Sequence, residues 1–425
     1  MAIGLDFGTT NSSLALADSE GNVQLASFPS GGSFTQSFRS LLYLHRVRDK
    51  ARTVIKSWSG PAGIAQYLEA DEKGRLIQSL KSFLTSRSLQ TTEVFGRRFK
   101  LEDLIARILR DIRAQSEQQF GSGKDAVVVG RPVRFVGSES DDDDEFAVGR
   151  LTLALQEAGF ERVSFEYEPV GAAYYYESGL DHDELILIGD FGGGTSDFSL
   201  LQVGPSIRCG RRERAVIGNE GLGLAGDAFD ARIIRHLVSP ELGAGTMLRS
   251  GDKLLPVPNW VYFKLERWHH LSFLKSADTL NMLQSVAAQA LEPEKIEALR
   301  YLIRHDLGYQ LHRSVQAAKV ALSHEERTVF RFVDGDAEIE TGLTRTDFES
   351  WIEEELADIA GAVDSLLRRT GVAAKDLDMV FLTGGSSLVP AVRRIFESRF
   401  GSERIRTGDE FTSVARGLAL KALTL

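Results

Sequence analysis

Two aspartates stand at the same point of a repeated phrase. Leu5-Asp6-Phe7-Gly8-Thr9-Thr10 lies near the start, and Gly189-Asp190-Phe191-Gly192-Gly193-Gly194-Thr195 near the middle. Each copy follows an apolar run that reads as a strand, turns on glycine and ends in threonine. A carboxylate delivered by a strand end suits a hydrated magnesium ion, which takes oxygen ligands and keeps several waters. The glycine turn leaves backbone N–H groups to hold phosphate, and the threonine adds a hydroxyl. Two such hairpins facing each other would clamp a triphosphate and its magnesium from opposite sides. A third turn, Leu382-Thr383-Gly384-Gly385-Ser386-Ser387, also follows an apolar run. Singly, each turn is weak, because a turn after a strand needs glycine for backbone reasons alone. Jointly and in this order they point to a duplicated nucleotide machine.

The elements around them alternate in the manner of an α/β protein. Met1 to Leu5, Ser12 to Ala17 and Asn22 to Phe28 read as a β-meander, and Pro29 to Ser37 as a Gly/Ser-rich loop. Ser40 to Leu44 reads as a strand. Leu101 to Gln119 has apolar residues at helical spacing. Ala126 to Val129 and Val163 to Tyr167 read as strands, and Phe146 to Gly159 and Val170 to Gly179 as helices. Glu168 precedes Pro169, so its backbone is expected to be extended. Asp141 to Asp144 reads as a solvated helix N-terminus, since four adjacent side chains cannot converge on a metal. After the second hairpin come a helix from Gly226 to Leu237, an unassigned stretch from Ser239 to Ser276, and mostly helix over 284–322. A hairpin turns around Asp334-Gly335, and Thr346 to Thr370 reads as one long amphipathic helix. Met379 to Leu382 leads into the third glycine turn. Helices over Val389 to Phe400 and Ser413 to Ala422 close the chain.

Bulk properties restrict the partners. The chain has 425 residues and a formal charge of −10, which argues against nucleic acid or an anionic membrane. Its single cysteine, Cys209, cannot form an internal disulfide and fits a reducing cytoplasm. The N-terminus has no basic n-region, and no apolar run reaches membrane-spanning length.

The three glycine turns and their spacing resemble the actin-like ATPase superfamily. Within it the chain is similar to the nucleotide-binding domain of the seventy-kilodalton heat-shock chaperones, over nearly its whole length. Asp6-Phe7-Gly8-Thr9-Thr10-Asn11-Ser12 resembles the first phosphate loop, and Asp190 to Asp197 the second. Thr383-Gly384-Gly385-Ser386 resembles the adenosine loop, and Tyr167-Glu168-Pro169-Val170-Gly171-Ala172-Ala173 the family's Glu-Pro-Thr-Ala-Ala-Ala motif. Leu224 to Asp230, with Gly226 and Asp227, is similar to the loop opening the helical subdomain of the second lobe. Lys81 sits where the family places its catalytic lysine.

The resemblance implies two duplicated lobes around a central nucleotide cleft. Lobe I would be 1–184, with core 1–38 and 124–184, an inserted subdomain over about 39–123, and a returning C-terminal helix over 408–425. Lobe II would be 185–407, with core 185–226 and about 345–407 and a helical insertion over about 227–344. It implies ATP or ADP with magnesium as cofactors, and a magnesium-dependent ATPase switch acting on protein clients or cochaperones. Asp6, Glu168 and Asp190 would hold magnesium, mostly through water. Lys81, Glu168, Asp190 and Thr195 would be catalytic. Gly8, Thr9, Thr10, Asn11, Gly192, Gly193, Gly194 and Thr195 would bind phosphate. Asp197 would assist Lys81 or the metal, or simply cap its turn. Gly226, Asp227, Lys319, Ser323, Gly384, Gly385 and Ser386 would hold the nucleoside.

The chain departs from the family pattern at several positions. Gln316 stands where a glutamate is usual, and Val320 and Leu388 where arginines usually sandwich the adenine. An apolar sandwich lacks cation–π attraction, so weaker and less base-selective binding is expected. Gly130-Arg131-Pro132 replaces a valine-proline pair. The motifs run out at Gly417, so a nucleotide-driven peptide clamp is not expected of this chain alone. A small-molecule kinase on the same fold and a non-hydrolysing ATP-binding scaffold or filament protein are the alternatives. Gly221-Leu222-Gly223-Leu224-Ala225-Gly226 also fits a dinucleotide fingerprint, but a lone match is weak. His269-His270, His305 and His312 are too scattered for a metal site. Trp260 and Trp268 are expected in core packing rather than at an interface.

Overall fold

The computed structural model describes residues 2–49, 52–70, 74–121, 126–210, 215–267, 274–408 and 412–425. It divides into two compact units, one formed by Met1–Gly226 with Ala357–Leu425 and the other by Asp227–Leu356. Trp268, His269 and His270 lie outside the described residues.

The first unit contains one strand scheme twice. In the first sheet, β1 (Ala2–Phe7), β2 (Asn11–Ala17) and β3 (Val23–Leu25) form an antiparallel meander. On the other side of β1 lie β4 (Ala126–Arg131) and β5 (Arg162–Tyr167), both parallel to it. In the second sheet, β6 (Glu184–Phe191), β7 (Ser196–Val203) and β8 (Val216–Leu222) form the meander. There β9 (Met379–Thr383) and β10 (Ile405–Thr407) are the parallel pair beside β6. The orders are β5-β4-β1-β2-β3 and β10-β9-β6-β7-β8. The central strands read as nearly continuous apolar runs, as strands covered on both faces do. Leu5, Phe7, Ile186, Leu187 and Ile188 have no exposed surface.

Helices connect and flank these strands. α1 (Leu101–Phe120) buries Leu104, Ile105, Ile108, Leu109 and Ile112, the stripe its spacing predicts. α2 (Asp141–Glu157) starts at Ser140, whose hydroxyl accepts from the Asp143 N–H and so caps it. α3 (Glu168–Glu177) follows β5 directly, and α4 (Gly226–Ile233) leads out of the unit. The C-terminal helix (Ser413–Ala422) packs against β1, β2 and α3. It approaches α3 so closely that a Cβ on Gly417 would stand 1.7 Å from the Gly171 carbonyl oxygen. Only glycine fits that crossing. Between β2 and β4 lies a second layer. It comprises the sheet of Leu41–Asp49, Arg52–Ser59 and Arg75–Gln78, the helix Gly60–Glu69, the 3-10 turn Leu80–Phe83 and the hairpin Thr91–Val94/Arg97–Lys100.

In the second unit, α4 continues through a π-helical turn at Ile234–Val238. The stretch left unassigned from sequence holds a hairpin, Met247–Ser250/Lys253–Pro256, and a helix, Trp260–Glu266. Helices Ala277–Ala287, Pro293–Arg304 and α5 (Gly308–His324) follow, then the hairpin Arg327–Asp334/Ala337–Thr344.

Several local expectations are corrected. The glycine-rich segment expected as a loop is a hairpin, Phe28–Ser30/Ser33–Thr35, turning on Gly31-Gly32 with Phe28 in the core. The strand expected from Asn22 to Phe28 is broken between Leu25 and Phe28. The single helix expected over Thr346 to Thr370 is two, Arg345–Trp351 and Glu353–Thr370. Between them the fully buried Ile352 leaves helical geometry at φ −101°, ψ 14°. Asp144 is not solvated like its neighbours. It is buried, accepts from the Phe135 N–H at 2.9 Å and pairs with Arg134 at 2.9 Å. Trp260 is not core packing, because it is 42% exposed with the Lys264 ammonium 5.1 Å above its ring.

Candidate functional site

The two hairpin turns meet inside the first unit. β1 turns through Gly8-Thr9-Thr10 into β2, and β6 through Gly192-Gly193-Gly194-Thr195 into β7. A Cβ on Gly194 would lie 3.2 Å from Thr9 Oγ1 and 3.7 Å from Ser82 Oγ. Thr9 and Thr195 are buried, Thr10 and Asn11 half-buried, and Gly192 exposed. Gly192 closes its turn by donating to the Thr195 carbonyl at 2.9 Å. Asn11 Oδ1 accepts from Arg39 at 3.3 Å.

Beside the turns is a buried ion pair. Lys81 Nζ lies 2.6 Å from Glu168 Oε1, with both side chains under 10% exposed at 7% and 8%. Lys81 rides on the 3-10 turn, which follows Ser79, a non-glycine residue held at φ 52°. Glu168 is the first residue of α3 rather than an extended one, and the extended position is Tyr167. Pro169 is accommodated there because a first-turn residue needs no N–H donor.

Strand register fixes the aspartates. Asp6 faces Ser13 across the first hairpin, and Asp190 faces Asp197 across the second and Thr383 across the parallel strand. Asp197 Oδ1 accepts from the Val133 N–H at 2.6 Å, which ties the second hairpin to the segment after β4. Its Oδ2 is buried without a hydrogen-bond partner, as is Thr10 Oγ1.

Four carboxylates therefore crowd one lysine, and the electrostatics reflect it. Burial, then the charge of Glu168, pushes Asp6 up to about 7 against the pull of Lys81. The same two causes push Asp197 up to about 8. Burial, Glu168 and Asp6 raise Asp190 well above the ordinary carboxylate range. Burial opposes the Lys81 ammonium, but Glu168 and Asp6 outweigh it and hold the amine above its ordinary value. A cluster of this kind favours protons or another cation. Among the described residues no three such side chains are close enough to grip a metal ion directly. The donor set thus fits a hydrated divalent cation held through its waters, with the orphaned Asp197 oxygen a ready acceptor.

The third turn abuts the second hairpin. Gly384 has φ +85°, and a Cβ on it would fall 2.1 Å from the Phe191 carbonyl oxygen. Gly385–Leu388 is a 3-10 turn in which the Ser387 hydroxyl donates to the Gly384 carbonyl at 2.7 Å, and Ser386 is buried. Thr383 and Ser413 join their hydroxyls at 2.6 Å. Gly226 donates to the Gly192 carbonyl at 3.4 Å. Asp227, Lys319 and Ser323 belong to the second unit. There Lys319 Nζ pairs with the buried Asp230 at 2.6 Å, and the Ser323 hydroxyl donates to the Lys319 carbonyl at 3.3 Å. Val320 is 55% exposed.

Sequence reasoning missed Arg150. From α2 it donates to the carbonyls of Phe83, Leu84, Ser86 and Leu89 and pairs with Glu102. It thereby clasps the segment that follows Lys81. A signal existed, because Arg150 shares its helical stripe with the apolar Ala147, Leu151 and Ala154.

Duplicated sheets with glycine-turn hairpins at equivalent strand ends define an α/β protein of the actin-like class. The Hsp70 protein family model matches residues 2–242 and 303–425. The chain is 24% identical over 429 aligned residues to chaperone protein DnaK of Thermotoga petrophila, and equally so to those of Thermotoga maritima and Thermosipho melanesiensis. Each alignment takes in 100% of this chain and 59% of the relative, so the chain spans about three-fifths of the curated relatives it matches. The chain belongs to the Hsp70 family, and its fold is the actin-like ATPase fold.

Proposed function

We propose that the chain is a magnesium-dependent ATP-binding protein that hydrolyses ATP to ADP and phosphate. The observation that carries this reading is the buried Lys81–Glu168 pair set among Asp6, Asp190 and Asp197 at the two hairpins. Hydrolysis of a terminal phosphate is mostly positioning and charge stabilisation. Gly8, Thr9, Thr10, Gly192, Gly193, Gly194 and Thr195 hold the phosphates. Lys81 supplies the cation whose value rises as charge develops in the transition state. Asp6, Glu168 and Asp190 would hold hydrated magnesium, which when bound would supply positive charge against the phosphate oxygens. Asp197 orients Lys81. The family resemblance assigns the nucleoside to Gly226, Asp227, Lys319, Ser323, Gly384, Gly385 and Ser386, and with it the lobe boundaries given above.

The relatives bear the name chaperone, and the chaperone-type role follows as part of this proposal. ATP and ADP select between states by their differential affinity, and protein clients or cochaperones read those states. Among the described residues no helix is long and apolar enough to cross a membrane. The single cysteine, Cys209, supports a reducing, cytoplasmic setting. The test is phosphate release and calorimetric ATP binding, with magnesium and with chelator, for the parent and Lys81→Ala. Binding should need magnesium. The variant should lose about a hundredfold or more in turnover while ATP affinity stays within a few fold, because a transition-state contact acts on rate. Parent-rate hydrolysis by the variant, or no binding with magnesium, refutes the proposal.

A further inference from the structure

Charge is distributed very unevenly along this chain. Residues 39–123 carry 16 Lys and Arg against 9 Asp and Glu, a balance of +7, while the whole chain stands at −10. The remainder is therefore at −17. The excess is concentrated on the sheet containing Leu41–Asp49 and on the adjacent hairpin Thr91–Val94/Arg97–Lys100. Arg46, Arg48, Lys56, Arg97, Arg98 and Lys100 are all exposed. Among the described residues none of the six has a carboxylate at ion-pair distance. The nearby acids are engaged internally. Glu102 pairs with Arg150, Asp111 accepts from Ser59 at 2.6 Å, and Asp103 accepts from the Lys100 N–H at 3.0 Å. Glu93 stands opposite Arg98 in the hairpin register.

The hairpin is tied to the sheet. The hairpin closes on Phe95-Gly96, with φ of 53° and 77°, the tight turn that matches strand twist. A phenylalanine rarely adopts a positive φ. Here its ring lies 5.0 Å from the Arg46 guanidinium, which joins the hairpin to the sheet. Arg107 spans the same junction, over the Phe99 ring at 5.4 Å and donating to Ser57 at 2.9 Å.

We propose that this basic face is a docking surface for a short acidic segment of a partner protein. Arginine forks match carboxylates in two-point geometry. The field of the patch reaches only about 8–10 Å at physiological salt, so a short acidic segment feels the patch alone. A long polyanion or an anionic bilayer extends beyond it and meets the carboxylates of a remainder at −17. The chain's own formal repulsion therefore selects a peptide over nucleic acid or membrane.

The test uses the full chain with a fluorescein-labelled oligoglutamate, read by anisotropy at low and physiological salt. Parallel arms use a single-stranded DNA oligonucleotide, phosphatidylserine vesicles and sedimentation of the chain alone. Arg97→Glu/Arg98→Glu should weaken oligoglutamate binding about tenfold or more while melting temperature and nucleotide turnover hold, because exposed charges act on association and not on the core. Should that variant melt early, Arg48→Glu/Lys56→Glu carries the same expectation. Unchanged oligoglutamate binding overturns the proposal. So does tighter binding of DNA or vesicles, or self-association that the variant abolishes, which would give the face to a second copy of the chain.

Discussion

Replacing Arg150 with methionine tests the reasoning about what holds Lys81 in place. The Arg150 side chain is 7% exposed and its Glu102 partner 13%. Methionine fills similar volume but removes every donor. Glu102 is then a half-buried carboxylate without its cation; a fully buried pair broken from one side would cost about 3–5 kcal/mol, and a half-buried one about 1–3 kcal/mol. The carbonyls of Ser86 and Leu89, at 3.1 and 3.0 Å, lose good hydrogen bonds, whereas those of Phe83 and Leu84, at 3.4 and 3.5 Å, lose weak ones. Where water enters, those losses stay near ~1 kcal/mol each, so the carboxylate sets the size of the effect. Urea unfolding followed by circular dichroism should show that loss at neutral pH. The pH signature follows from Glu102. Burial would raise its pKa, but the Arg150 hydrogen bond and charge hold it below the ordinary glutamate value. Its contribution is present above the unfolded-state pKa and lost as pH falls through the folded one. The gap between parent and variant should therefore narrow in acid. Glu102→Gln in the Arg150→Met background should restore most of the loss, because the two changes share one interaction. Because Arg150 grips the backbone from Phe83 onward, the variant should also lose turnover more than ATP affinity. A loss under about 1 kcal/mol, or strictly additive single and double variants, would show that the clasp is incidental.

Two further outcomes follow from the site. Asp6, Asp190 and Asp197 bind protons more tightly folded than unfolded, so the metal-free protein should gain stability from these three groups below the ordinary aspartate range, while carboxylates held low, such as Glu102 and Asp364, work against it there. It should lose stability as pH rises through about 7 and about 8, and magnesium should raise the melting temperature most at the alkaline end. Melting curves across that window with chelator and with magnesium check it, and a temperature that rises with pH in chelator refutes it. The apolar Val320 and Leu388 should leave ATP less than a thousandfold favoured over GTP, that is, by under ~4 kcal/mol. Competition calorimetry measures the ratio, and a larger preference means that another group reads the adenine edge.

Where structure follows from neighbours in sequence, it was legible. The hairpins at Asp6 and Asp190 are apolar runs broken by glycine, and the C-terminal helix spans Ser413–Ala422 as its pattern predicts. Three features were not legible, each because a distant contact decides it. Ile352 interrupts an amphipathic pattern that never wavers, because full burial there outweighs helix continuity. Asp144 looks like its three neighbours until the Phe135 N–H and Arg134 converge on it. Lys81 meets Glu168 from 87 residues away. No spacing rule predicts that pair, and only the family resemblance brought the two residues into one site.

The duplication itself is imperfect, and the imperfection is informative. The first turn has three residues, Gly8 to Thr10, and the second has four, Gly192 to Thr195. At the position opposite the strand-end aspartate, one hairpin has Ser13 and the other Asp197. Had both copies kept aspartate there, five carboxylates would crowd one lysine, and the already resisted ionisation of Asp6 would be resisted further. With serine in the first copy, Asp197 is the single extra acid, and the Val133 N–H fixes one of its oxygens. Its other oxygen is buried and unpartnered, an acceptor for which Ser13 in the first hairpin supplies no carboxylate counterpart. The two hairpins thus bring different acids toward Lys81: the first brings Asp6, and the second brings Asp190 and Asp197.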